Sequence, residues 1–275
     1  MSSFTGQLRP ITFLTDFGYR DESAGVCRAV ISRINPELTV LDLTHGIEPG
    51  DIQRGALALA SSVPFSAPAV HLAVVDPGVG TERRALALAA GEHFLVGPDN
   101  GLLWLAAERL GGIDEAVEIS DSPFRLEPVH RTFHGRDIFS PVAARLASGV
   151  PVSEAGDPIE PDSVIPLDLP RPRLDGELLV GHVIATDRYG NLALNVTADL
   201  IERSFLAPGA RVAMEAAGPV VAEVPVGETF ADVDPGEPVL YPDSSGSLAL
   251  AVNRGDAGAE FALAPGDEIS LSPLT

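Results

Sequence analysis

The chain has 275 residues, 45% hydrophobic and 21% charged, which supplies a sizeable core and excludes a mainly disordered protein. That length favours two domains over one large core. With 18 basic and 39 acidic residues the formal net charge is −21, which argues against a general binder of nucleic-acid backbones or of anionic membranes.

In chain order, the N-terminal segment MSSFTGQLRP lacks an apolar signal core. No later stretch reaches the roughly 18 apolar residues of a membrane span, so a soluble, cytoplasmic chain is expected. Ile11 to Thr15 reads as a buried strand that runs into a loop at Asp16 and Gly18. Val26, Cys27, Val30, Ile31 and Ile34 follow helical spacing until Pro36, which places the single cysteine on a core face. With one cysteine no internal disulfide framework forms, and a reducing compartment fits.

A strand at Val40 to Leu43, a helix from Asp51 to Ser62 and a strand at Val70 to Val75 continue a βαβ rhythm, the mark of an α/β layer structure. Strands at Ala85 to Ala89 and Phe94 to Val96 follow. A turn at Pro98-Asp99-Asn100-Gly101 leads to helices at Leu102 to Leu110 and Phe139 to Ala147. Pro161, Pro166, Pro170 and Pro172 then break every periodic pattern. We expect an N-terminal α/β domain with a mainly parallel or mixed sheet over 1–168, a linker at 169–174, and a smaller β-barrel domain over 175–275. The short apolar runs Leu178 to Ala185, Leu192 to Val196, Arg211 to Met214, Leu248 to Val252 and Ile269 to Leu271 would supply the barrel's strands.

Generic nucleotide and nucleophile motifs fail: Gly78-Val79-Gly80 lacks a third glycine, and there is no phosphate-loop lysine and no nucleophile elbow. His130 and His134 are spaced for one helical face and a metal. Pro128 and Gly135 flank them, however, and Thr132-Phe133 favours extended chain, so no metal site is expected. Four stretches put polar residues where an apolar run stops: Thr15-Asp16-Phe17-Gly18-Tyr19-Arg20-Asp21, Asp76-Pro77-Gly78-Val79-Gly80-Thr81-Glu82-Arg83, Thr132-Phe133-His134-Gly135-Arg136-Asp137 and Thr186-Asp187-Arg188-Tyr189-Gly190-Asn191. Singly, each has an ordinary explanation. Asp16 or Asp76 would cap a turn, Arg83 would form a surface ion pair, His134 would rest against Phe133, and Asp187 with Asn191 would shape a hairpin.

Together with Thr44-His45-Gly46-Ile47, Pro98-Asp99-Asn100-Gly101, Thr229-Phe230-Ala231-Asp232 and Ser244-Ser245-Gly246-Ser247 to Asn253, in this order, they resemble the S-adenosyl-L-methionine hydroxide adenosyltransferases. These are relatives of the fluorinating and chlorinating enzymes that attack the same molecule. The resemblance covers nearly the whole chain. It implies an α/β domain followed by a β-barrel domain, and a homotrimer that binds S-adenosyl-L-methionine between neighbouring subunits as substrate, with no separate cofactor.

By the same resemblance, Asp16 takes the ribose hydroxyls, while Asp21, Ser23, Asp187 and Ser244 hold the methionine end. Tyr189 and Phe230 flank the adenine, Asn191 and Asn253 read its edge, and Phe133 belongs to the substrate pocket. Asp76, Arg83 and His134 match the trio of the water-using branch, in which water attacks the ribose 5′ carbon and leaves adenosine and methionine. Whether Asp76 or His134 accepts the proton stays open. The halogenating relatives carry a tyrosine where this chain has Asp76, and the fluorinating pocket a tryptophan where it has Gly50; a carboxylate there would repel a halide. Ser245 stands in place of an arginine and Asp243 in place of an asparagine, which leaves the clamp on the methionine carboxylate open. A non-catalytic binder of the same molecule would use the same pocket, and it is favoured only if Asp76, Arg83 and His134 fail to converge.

Overall fold

The computed structural model describes residues 7–216 and 222–274. The chain divides into two compact units, Met1–Asp168 and Leu169–Thr275.

The first unit is a mixed sheet between helices. Its strands are β1 (Ile11–Thr15), β2 (Val40–Thr44), β3 (Val70–Val74), β4 (Ala85–Ala90), β5 (His93–Pro98), β6 (Glu115–Glu118) and β7 (Asp157–Ile159), in the order β2-β1-β3-β5-β4-β6-β7. The β2-β1-β3-β5 half is parallel, and the pairs β5-β4, β4-β6 and β6-β7 are antiparallel. β1 and β3 are buried at every position, as parallel strands covered on both faces must be. On one face Ile11, Phe13, Leu72 and Val74 pack with Ala24, Cys27 and Ile31 of α1 (Ser23–Ile34). On the other, Leu14, Ala73, Leu86 and Leu95 pack with Ala56 and Leu59 of α2 (Ile52–Ser62) and Ala106 of α3 (Trp104–Arg109). Asp51 caps α2, its carboxylate accepting the Arg54 N–H.

A fourth helix, α4 (Ser140–Ala147), lies on the α1 face and is entered through a π-type turn, Gly135–Phe139. Two expectations need correction here. The Leu102 to Leu110 helix is regular only from Trp104 to Arg109. Thr132-Phe133 is not extended: the Phe133 N–H returns to the His130 carbonyl at 3.1 Å and closes a turn.

The second unit is an antiparallel sheet of β8 (Arg173–Asp175), β9 (Leu178–Thr186), β10 (Leu192–Thr197), β11 (Arg211–Ala216), β12 (Ala222–Pro225), β13 (Pro238–Pro242), β14 (Ser247–Val252) and β15 (Glu268–Pro273), with short helices α5 (Ala198–Glu202) and α6 (Ala257–Phe261). The order β12-β11-β15-β9-β10-β14-β13 nearly closes on itself, because Val226, just past β12, bridges to Leu240 of β13. Period-two patterning turns Leu192, Leu194 and Val196 inward to meet Leu248, Leu250 and Val252.

The parallel half of the first sheet positions the chemistry. Thr15 of β1 pairs with Val74 of β3, so the two strands end side by side, and the residues just beyond their carboxyl ends share one edge. That edge depends on close approach of β5 to β3: a Cβ on Gly97 would stand 2.3 Å from the Ala73 carbonyl oxygen and 3.2 Å from a Leu103 methyl. Gly97→Ala should therefore destabilise the protein by about 1–3 kcal/mol, read as a lowered urea midpoint; an unchanged midpoint would show that β3 and β5 can spread.

Candidate active site

Asp16 follows β1 directly, and Asp76 lies two residues beyond β3. One oxygen of Asp16 accepts the Gly50 N–H at 2.9 Å. Gly50 holds φ +77°, and a Cβ there would press against Pro77 at 3.5 Å, so this glycine backbone reaches both loops. Burial raises the Asp16 carboxyl above its usual range; the Gly50 bond opposes that, and the nearby Asp76 charge adds to it.

The loop after Asp76 folds back on itself. Val79 N–H bonds the Asp76 carbonyl at 3.2 Å, and Thr81 returns both its N–H and its hydroxyl to Gly78. Arg83, seven residues on, thereby faces Asp76: its Nε donates to both carboxylate oxygens at 2.9 and 3.1 Å, and its Nη2 donates to Oδ2. The two side chains are only 10% and 6% exposed. The guanidinium lies over the Phe139 ring, 5.2 Å from its centroid. Gly80 (φ +80°) locks this loop to the next, since a Cβ would meet the Arg131 carbonyl oxygen at 2.7 Å.

His134 completes the group, its Nδ1 lying 3.0 Å from Arg83 Nη2. A guanidinium has donors only, so Nδ1 must be the lone-pair nitrogen. The ring is then neutral with its hydrogen on Nε2. A protonated ring would set two donors against each other. Its pKa is accordingly lowered, first by burial and then by the Arg83 charge, against the opposing pull of Asp76 and Asp137.

The mount of His134 is stiff. It stands at the head of the π-type turn. The Ser140 hydroxyl bonds the Gly135 carbonyl at 2.7 Å, and Gly135 has no room for a Cβ, with Phe17 at 2.9 Å. Phe133 packs edge-on to Phe17 and lies under the Arg136 guanidinium, which is paired with the buried Asp137. Asp137 in turn accepts the His130 N–H at 2.8 Å. The imidazoles of the spaced pair have different partners, His130 Nδ1 meeting its own Thr132 hydroxyl at 3.0 Å. Among the described residues there is no group of three or more His, Cys, Asp or Glu arranged to hold a metal.

The remaining matched residues fall in two places. Asp21 is exposed ahead of α1, and Ser23 opens that helix. In the second unit Asp187 folds the β9–β10 turn, accepting the N–H groups of Tyr189 and Asn191 and the Asn191 side-chain amide at 2.8 Å. Tyr189 and Phe230 are 68% and 50% exposed, which suits an aromatic face for a planar ligand. Ser244 is at the exposed tip of the β13–β14 turn, which Asp243 shapes by accepting from Ser245 and Ser247. Asn253 spends its amide on the Val233 carbonyl at 2.7 Å, which leaves its oxygen for other contacts.

Two residues have no signal in the sequence. Phe139, under Arg83, reads only as a core position. Tyr241 packs edge-on to Phe230, and its hydroxyl is held above its ordinary pKa by burial and by the charges of Asp187 and Asp243.

Because the unfolded chain protonates His134 first, its neutral form contributes stability above pH 6.5 that is lost as pH falls below that value. In Arg83→Met burial still lowers the pKa of the ring, but the charges of Asp76 and Asp137 no longer act against that of Arg83. Nitrogen-resolved NMR should show His134 as the Nε2–H tautomer at neutral pH in the wild type and titrating higher in the variant; a Nδ1–H ring would contradict the assignment.

The family model for the SAM hydroxide adenosyltransferase N-terminal domain matches residues 11–156, and that for the C-terminal domain matches residues 181–270. An (R)-S-adenosyl-L-methionine hydrolase of Salinispora tropica is 45% identical over 95% of this chain and 97% of its own. A fluorinase of Actinoplanes sp. is 28% identical over 95% and 97%. A crystal structure of an uncharacterized conserved protein from Thermotoga maritima superposes with a TM-score of 0.89 at 37% identity, covering 95% of this chain and 99% of that one. With both family models matched in order and relatives of this identity along nearly its full length, the chain belongs to the SAM hydroxide adenosyltransferase family.

Proposed function

We propose that this protein hydrolyses S-adenosyl-L-methionine to adenosine and L-methionine by in-line attack of water on the ribose 5′ carbon. The observation that carries the reading is the meeting of Asp76, Arg83 and His134 around one guanidinium. The name of the Salinispora relative adds support and specifies the R sulfonium, which we extend to this chain.

Making free hydroxide at pH 7 from water of pKa 15.7 would cost on the order of 12 kcal/mol, beyond the reach of one ordinary carboxylate. The trio offers a lower route. His134 donates from Nε2 to the attacking oxygen and holds it. Asp76 takes the proton late, since the only lone pair on the imidazole is already bound to Arg83. The oxygen–carbon bond forms as the carbon–sulfur bond breaks, and the sulfur leaves with the electron pair as a neutral thioether. Orientation alone supplies roughly 7–11 kcal/mol when the water is held in line. Asp16 and Asp76 against Arg83 leave the pocket one negative charge, complementary to a sulfonium cation, and the same charge disfavours a halide nucleophile.

The other roles follow the family pattern: Asp16 on the ribose hydroxyls; Asp21, Ser23, Asp187 and Ser244 at the methionine end; Phe133, Tyr189, Asn191, Phe230 and Asn253 about the adenosine. We propose a cytoplasmic homotrimer with the substrate, rather than any cofactor, bound between neighbouring subunits. The exposed aromatic faces of Tyr189 and Phe230 accord with a pocket completed by another chain, and the buried single Cys27 accords with a reducing compartment.

Asp76→Asn keeps the shape but not the proton acceptor. It should lower kcat by about 10²–10⁴-fold with KM little changed, measured as adenosine release. A variant that keeps wild-type kcat would remove Asp76 from the chemistry.

A further inference from the structure

We propose that His45 is a positioning residue for the same site: it fixes the turn that carries Asp16 and so sets the grip on the ribose. This rests on the assignment of Asp16 to the ribose hydroxyls.

His45 follows β2 and is 1% exposed. An ordinary core histidine would be satisfied by whatever lies near, whereas the contacts of this one converge on residues 13–19. Its carbonyl accepts the Gly18 N–H at 2.7 Å, and its own N–H donates to the Tyr19 hydroxyl at 2.9 Å. Its ring packs edge-on to Phe13 and Tyr19, with centroids 4.8 and 5.6 Å away.

The ring nitrogens link Thr15 on one side to the Arg28–Asp42 pair on the other. Nε2 stands between two charged partners, 3.1 Å from an oxygen of Asp42 and 3.2 Å from Arg28 Nη1. Arg28 completes the carboxylate with a 2.6 Å bond from Nη1 to its other oxygen. Nδ1 shares a 2.8 Å hydrogen bond with the Thr15 hydroxyl, and the Thr15 oxygen accepts the Phe17 N–H at 3.1 Å. Thr15 and Phe17 flank Asp16, so both sides of the carboxylate's anchor point are tied, through one imidazole, to a surface ion pair. The Thr15 residue that carries these bonds is wholly buried. Gly18, at φ +74°, closes the turn onto the His45 carbonyl.

The test compares His45→Ala, His45→Asn and Tyr19→Phe with Asp16→Ala and the wild type in the full-length protein. The readouts are kcat and KM for S-adenosyl-L-methionine, and the ratio of inhibition constants for 2′-deoxyadenosine over adenosine. The Asp16→Ala variant should lose the ratio. His45→Ala should lose it too, with KM raised on the order of 10-fold or more. In His45→Asn the side-chain amide, which offers both a donor and an acceptor, can replace Nδ1 towards Thr15, so most of the ratio should return. Tyr19→Phe, at a ring 72% exposed that the core does not need, should lower it by a smaller factor; it and the asparagine variant carry the test if the alanine variant does not fold. Variants of His45 and Tyr19 that melt earlier yet keep the full ratio would overturn the proposal while leaving the ribose assignment intact. A full ratio in Asp16→Ala would instead remove the ribose assignment, and the positioning role with it.

Discussion

Everything at the centre of this protein depends on one cation that can only donate. Arg83 holds both oxygens of Asp76 and the Nδ1 of His134, and because a guanidinium offers no lone pair it decides the state of each neighbour. Asp76 takes three bonds from it, and His134 is a neutral ring with its hydrogen on the far nitrogen. Removing the cation would leave a nearly buried carboxylate uncompensated, a change that costs about 3–5 kcal/mol in comparable pairs.

The fold brings these groups together by two means. The parallel pairing of β1 with β3 sets Asp16 and Asp76 at neighbouring strand ends. The loops that follow are then fitted to each other by glycines with no room for a side chain, Gly80 against the Arg131 carbonyl and Gly135 against Phe17. Gly50, at φ +77°, ties a third loop to Asp16 through its N–H. The result is a set of polar side chains held by backbone contacts, as a reaction that depends on orientation requires.

Much of this was legible in the sequence, because apolar runs that end in Asp, Gly or Arg announce strand ends with polar work to do. The strands at β1, β3, β9, β10 and β14 and the helix α1 stand close to where hydrophobic period and proline stops put them. Other elements gave no such signal. β6 is the acidic run Glu-Ala-Val-Glu, β7 is three residues containing a proline, and β13 begins and ends with proline; each is a strand only because a neighbour's backbone pairs with it. Within the site, it was the family resemblance carried by the ordered motifs that pointed to Asp76, Arg83 and His134. Which residue could take a proton was not legible, because that depends on which imidazole nitrogen faces the arginine. The same is true of His45, whose motif is visible but whose chain of bonds through Thr15 exists only once β1 and β2 are paired.

The most direct test of water attack at the 5′ carbon is mass spectrometry of the products formed by the wild-type protein from S-adenosyl-L-methionine in water enriched in oxygen-18. The expected result is one heavy oxygen in adenosine, at its 5′ hydroxyl, and none in methionine. Intact S-adenosyl-L-methionine bound without turnover, or adenosine free of the label, would contradict it.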